Sequence, residues 1–265
     1  MRPRNPHRAT IVVLLLGGSL FVSGLPGLAQ STSFTELPPL EAPLVEGNVG
    51  SPAPFSQWGP ETERIFEREN RRNEYTAEIH YDLGLFFYEQ GAWDLSLTHY
   101  RKAVELDPNF PEAYFGIGLL FYTLGDDENA ITYYLASLER NPNDADTRNN
   151  LGLIYYRRGE LDLARTQIEE AIRLQPVFPD ALYNLGLVHY QRKDLEVAAT
   201  TFKSALEQDP LYLRARFNLG VVYFELGKTR EAQEQWNKIL EDAPGSELAA
   251  QAEENLTISR TSGEN

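Results

Sequence analysis

The sequence predicts an all-α solenoid of five tandem helix-turn-helix units closed by a C-terminal capping helix. Two observations carry this. Gly84, Gly118, Gly152, Gly186 and Gly220 recur every 34 residues without a slip, and so do Pro108, Pro142, Pro176, Pro210 and Pro244. A fixed period of this size marks a repeat architecture, in which each unit buries its apolar face only by stacking on its neighbours. The five units are 77–110, 111–144, 145–178, 179–212 and 213–246.

Within a unit the first helix carries apolar residues at helical spacing, as in Ala181 to Tyr190. A turn follows, marked by Gly91, Gly125, Gly159 and Gly227. The second helix stops before the proline, which cannot continue it and disfavours helix in the residue ahead. A glycine within a helix costs about 1 kcal/mol relative to alanine. Its recurrence in five units therefore points to a packing need, a close approach of the second helix. Ser96, Ala130, Ala164, Ala198 and Ala232 supply the matching small residue there. Leu83, Ile117, Leu151, Leu185 and Leu219 fill the remaining gap opposite Tyr100, Tyr134, Ile168, Phe202 and Trp236.

These motifs resemble the tetratricopeptide repeat (TPR) family in all five units, which implies a right-handed superhelix. Three positions depart from the pattern. His80, Tyr114, Arg148, Leu182 and Arg216 stand where the family has a consistently large residue near the start of the first helix. Lys193 replaces the turn glycine of unit four, where a positive φ costs about 1 kcal/mol. Ile239 replaces the small residue found as Ala103, Ser137, Ala171 and Ala205, so the fifth unit should meet something other than a sixth repeat. A capping helix over 247–258 fits, with Ser246 as its cap and Leu248, Ala249, Ala252 and Leu256 as its apolar stripe. Residues 259–265 are expected to be a frayed tail.

Ahead of the repeats, residues 1–29 hold Arg2, Arg4 and Arg8, an apolar stretch from Ile11 to Val22, and Gly27-Leu28-Ala29. This is the composition of a secretory signal peptide with cleavage after Ala29. The alternative is an uncleaved anchor, since Ala9 to Ala29 is uncharged and about long enough to span. The expected destination is the periplasm, a lumen or the outside medium. With no cysteine in the chain, disulfides and a cysteine-linked lipid are excluded. Residues 30–60 read as a flexible linker, with six prolines between positions 31 and 60. Residues 61–76 read as a charged N-terminal helical cap in which Ile65 and Phe66 are the apolar residues.

Removal of residues 1–29 leaves 21 basic and 39 acidic residues, a formal charge of −18. Such a surface repels phosphate backbones and anionic headgroups, so nucleic-acid binding is not expected. Membrane contact is expected only through an uncleaved signal. The four histidines include no His-x-x-x-His pair, and Gly116-Ile117-Gly118 lacks the third glycine of a nucleotide loop. No catalytic, metal or cofactor site is expected.

The resemblance implies that the first helices line a concave groove. One row there contains Asp82, Gly116, Asn150, Asn184 and Asn218, whose three asparagines form a ladder suited to an extended peptide backbone. Beside it run Tyr81, Phe115, Asn149, Tyr183 and Phe217, then Tyr88, Tyr122, Tyr156, Tyr190 and Phe224. Aromatic surface with polar tips suits recognition at low rotamer cost, although the same residues also pack neighbouring repeats in the family. Some family members clamp a partner's C-terminal carboxylate with lysines and asparagines. Here the corresponding positions carry Glu112, Asp146 and Asp180, with Arg214 the one cation, which disfavours that mode. Arg148, Arg157 and Arg158 form a small basic spot on what reads as a solvated helix face.

The expected function is a non-catalytic exported adaptor that binds a protein or extended peptide and supports assembly of an envelope or lumenal complex. Two other readings remain: a glycan-binding module using the tyrosine rows, and a self-associating structural protein.

Overall fold

The computed structural model describes residues 76–262. The expected signal, linker and most of the N-terminal cap lie outside the described residues. The described chain is helical throughout and divides into two compact units, with described parts 76–154 and 155–262.

The first unit holds α1 (Ala77–Glu89), α2 (Trp93–Leu106), α3 (Pro111–Thr123), α4 (Asp127–Arg140) and most of α5 (Ala145–Arg157). The last turn of α5 opens the second unit. That unit continues with α6 (Leu161–Leu174), α7 (Pro179–Gln191), α8 (Leu195–Gln208), α9 (Leu213–Glu225), α10 (Thr229–Asp242) and α11 (Glu247–Ser262).

Local chemistry sets the boundaries. Thr76, Asp126 and Ser246 accept hydrogen bonds from the backbone N–H three residues on, capping α1, α4 and α11. Pro111 and Pro179 occupy first helical positions, where the absent N–H costs nothing. Each second helix ends two residues before its proline.

The hairpin turns close with paired backbone bonds. Gly125 N–H donates to Tyr122 O and Asp126 N–H to Phe121 O. Lys193 completes the same pair in unit four, with its N–H on Tyr190 O and that of Asp194 on His189 O. It does so at φ +67°, beside +69° to +80° at the four turn glycines.

Four of the five helical glycines make room for a ring rather than for helix backbone or the small residue opposite. A Cβ at Gly84, Gly118, Gly186 or Gly220 would lie 2.4–2.6 Å from Tyr100, Tyr134, Phe202 or Trp236. All four aromatics are fully buried. Ser96, at the small position, donates its hydroxyl to Gly84 O at 2.8 Å.

Successive repeats are also stitched at the proline loops. Arg140 Nε donates to Pro108 O at 2.6 Å, and Gln208 Nε2 donates to Pro176 O at 2.8 Å.

At the C-terminal end α11 packs on α10 and α9. Its Ala249, Ala252 and Leu256 join Trp236 and Ile239 in one core. The helix runs to Ser262, four residues beyond the expected stop at 258. Polar side chains hold the extra turn: Ser259 is buried, receives a 3.0 Å bond from Gln233 Nε2 and donates to Leu256 O. Glu253 and Glu254 stand one period after Leu219 and Gly220 and are exposed, so the surface a further second helix would cover is charged.

Candidate functional site

The predicted groove residues divide by burial. In the first unit Tyr81, Phe115, Tyr88, Tyr122 and Asn150 are half-buried. Tyr81 packs edge-on to Phe110 at 5.3 Å and against Tyr100 at 5.8 Å. Phe115 lies 5.7 Å from Tyr134. Tyr88 shares a 2.7 Å hydrogen bond with Thr123 Oγ1 of the next repeat.

In the second unit two of the three rows sink into the interior. Asn184 and Asn218 are 7% and 3% exposed, Tyr183 4% and Phe217 0%. Asn218 Nδ2 donates to Tyr183 Oη at 3.2 Å, tying repeat five to repeat four. The expected ladder is therefore not a row of open amides: two of its three members are interior groups. Tyr156, Tyr190 and Phe224 stay half-buried, packed on the core around Trp236. The Tyr190 hydroxyl donates to Glu225 of the next repeat. Burial and the Glu225 carboxylate raise its pKa. Burial also pushes Tyr156 up to about 12.

Arg148 donates to Pro142 O at 2.9 Å, and Arg158 pairs with Glu160 at 2.6 Å.

One feature was missed by the sequence reading. Leu85, Leu119 and Leu153 occupy one register, 34 residues apart, and are half-buried in the first unit. Their counterparts Leu187 and Val221 in the second unit are 3% and 1% exposed. The common spacing could have found this row. Around it Glu78, Asp82, Glu89 and Glu112 are exposed. Burial raises the Tyr81 pKa, and the carboxylates of Glu112, Asp82 and Asp144 raise it further, so charges from two successive repeats converge on one hydroxyl. His80 and His99, two histidines of one repeat, also lie together. His80 Nδ1 lies 3.0 Å from His99 Nδ1, with His99 stacked on Phe87 at 5.2 Å.

Among the described residues no group of three or more His, Cys, Asp or Glu is placed to hold a metal ion. No described helix is long and apolar enough to cross a membrane.

Comparison with known families matches three TPR models: residues 84–125 and 120–159 to one described as "TPR repeat", and 149–211 and 189–256 to two described as "Tetratricopeptide repeat". Together they run through all five repeats. The chain belongs to the tetratricopeptide repeat family. Solved structures agree with an α-solenoid of TPR units. A MamA protein is 26% identical, with TM-score 0.56 over 63% of this chain and 91% of its own. TTC0263, a thermophilic TPR protein of Thermus thermophilus, is 25% identical, with TM-score 0.56 over 69% of this chain and 100% of its own. YrrB, described as a TPR protein with an unusual peptide-binding site, is 23% identical with TM-score 0.56, covering 72% of this chain and 97% of its own, a likeness of fold alone. A search of curated proteins finds no match. As a TPR protein the chain is of the protein-interaction scaffold type.

Proposed function

We propose that this TPR protein is an exported, non-catalytic adaptor that holds a segment of another protein against the first helices of its N-terminal repeats, in support of an envelope or lumenal assembly. The observation that carries the reading is the half-buried strip of Tyr81, Leu85, Phe115, Leu119 and Tyr122. Apolar and aromatic surface of this kind remains open in the first unit, while the registers of Tyr81 with Phe115 and of Leu85 with Leu119 are interior in the second. Partly open aromatic surface supplies large contact area at low entropic cost. Export rests on the composition of residues 1–29, with cleavage after Ala29.

Self-association by end-to-end stacking is disfavoured at the C-terminal end by the exposed Glu253 and Glu254. The glycan reading loses support from the tyrosine hydroxyls of Tyr88 and Tyr190, which already bond to the neighbouring repeat.

The test is a pull-down from cross-linked native envelope extract with wild-type bait and with Leu85→Ser/Leu119→Ser bait of unchanged helicity. Capture of a protein by wild type and its loss in the variant supports the adaptor. Equal capture moves the interface off the first helices. Amino-terminal sequencing of the secreted or periplasmic protein tests export: a mature chain starting at Gln30 supports it, and a retained Met1 end in the cytoplasm contradicts it.

A further inference from the structure

The charge of the described chain is concentrated in the first unit. Residues 76–154 carry thirteen Asp and Glu against four Lys and Arg, whereas residues 155–262 carry seventeen against thirteen. Each of the four basic residues among 76–154 already has a partner within the chain. Lys102 pairs with Glu105 at 2.8 Å. Arg140 lies over the Tyr114 ring at 3.8 Å and bonds to Pro108 O. Arg148 bonds to Pro142 O, and Arg101 sits at the Tyr133 hydroxyl. The carboxylates of Asp82, Glu89 and Glu112 meanwhile stand exposed beside Leu85, Leu119 and Phe115.

We infer that the first-helix face of the N-terminal repeats selects a partner segment that is both cationic and aliphatic, with apolar side chains seated on the leucine strip and lysine or arginine side chains reaching the flanking carboxylates. The inference rests on the adaptor reading above and adds the partner's chemistry. An acidic segment would bring like charges together at a low-dielectric surface, which costs affinity and encounter rate. A second copy of the chain carries the same negative charge, which disfavours that occupant. A purely cationic segment would leave the leucine strip uncovered, and a purely aliphatic one would leave the carboxylate field uncompensated. The field is also convergent, since carboxylates from two successive repeats act on Tyr81.

The experiment is a fluorescence-anisotropy titration of the full chain with three dye-labelled extended peptides of equal length, built on lysine and leucine, on glutamate and leucine, and on lysine and serine. Two variants accompany wild type. One neutralises the inner carboxylates (Asp82→Asn, Glu89→Gln, Glu112→Gln). The other neutralises three exposed carboxylates of the second helices (Asp94→Asn, Glu128→Gln, Glu139→Gln).

The lysine–leucine peptide is expected to bind best, to weaken as salt rises, and to lose about tenfold in affinity with the inner variant while the outer variant leaves it unchanged. Equal binding of the glutamate–leucine peptide, or equal loss in both variants, overturns the inference. So does binding that requires a second copy, seen as a rise in mass by light scattering. Leucine-dependent binding without charge preference overturns the cationic chemistry alone, and the adaptor reading survives. Failure of every peptide overturns the inference as well, and the Leu85→Ser/Leu119→Ser pull-down then decides separately whether the adaptor reading also falls.

Discussion

The ring of Trp236 occupies the space that a side chain on Gly220 would fill, with Nε1 2.4 Å from where a Cβ would stand. The same indole donates to Phe217 O at 3.2 Å, so its position is fixed from both sides. Gly220→Ala must therefore push a fully buried indole out of its seat. A loss of about 1–3 kcal/mol is expected in chemical denaturation, the ordinary cost of overpacking. A Gly220→Ala/Trp236→Leu double variant should cost less than the two single substitutions added together, because the clash and the lost ring concern one space.

The turn of repeat four makes a backbone prediction. Lys193 holds φ +67° without being glycine. Its side chain offers little in return, at 3.5 Å from Glu225 and 5.1 Å from the Tyr190 ring. Lys193→Gly is expected to raise stability by about 0.5–1 kcal/mol, and Gly227→Ala to lower it by about the same amount. Urea midpoints check both.

Much of this was legible in the sequence because the period repeats the same local solution. The glycine and proline registers located the hairpins and their ends. The departures at Lys193 and Ile239 marked the strained turn and the atypical last repeat, and Ser246 marked the start of the cap. Burial was not legible. Asn150, Asn184 and Asn218 share a register, yet Asn150 is half-buried and the other two are interior. The neighbouring rows differ in the same way, with Leu187, Phe217 and Val221 buried in the second unit and Leu85, Leu119 and Phe115 half-buried in the first. The last turn of α11 was missed for a related reason: Ser259 is held by Gln233, a pairing that apolar periodicity does not register.

The burial of the asparagines has its own consequence. Asn218→Ala removes the donor that meets the Tyr183 hydroxyl in the interior. A cost of about 1–3 kcal/mol is expected from leaving that group unsatisfied, measured by thermal or urea unfolding. Any binding defect in this variant should track its unfolded fraction. A variant that stays fully folded and still loses a partner would return the ladder to the interface.

The histidine pair predicts a pH dependence confined to the first repeat. Burial lowers the pKa of His80, with Lys102 lowering it further and Glu105 opposing. Burial and the neighbouring His80 bring His99 down to about 4. The unfolded chain, with histidines near 6.5, then binds more protons than the folded one in the interval between. The contribution is fully present above pH 6.5 and is lost as pH falls toward about 4. Other carboxylates also titrate at the acid end, so the informative quantity is a difference. His99→Phe keeps a ring against Phe87 while removing the titration, and its stability should decline less than wild type between pH 7 and pH 5.

The most direct test of the central claim, that the open first-helix strip of the N-terminal repeats is the recognition surface, is site-resolved photo-crosslinking in the native envelope. A photoreactive residue is placed in turn at Phe115, Leu119 and Tyr122, and at the exposed second-helix positions Leu106 and Glu139. The account predicts one discrete protein adduct from the three strip positions and none from the two outer ones. Adducts from the outer positions, with the strip silent, would contradict it.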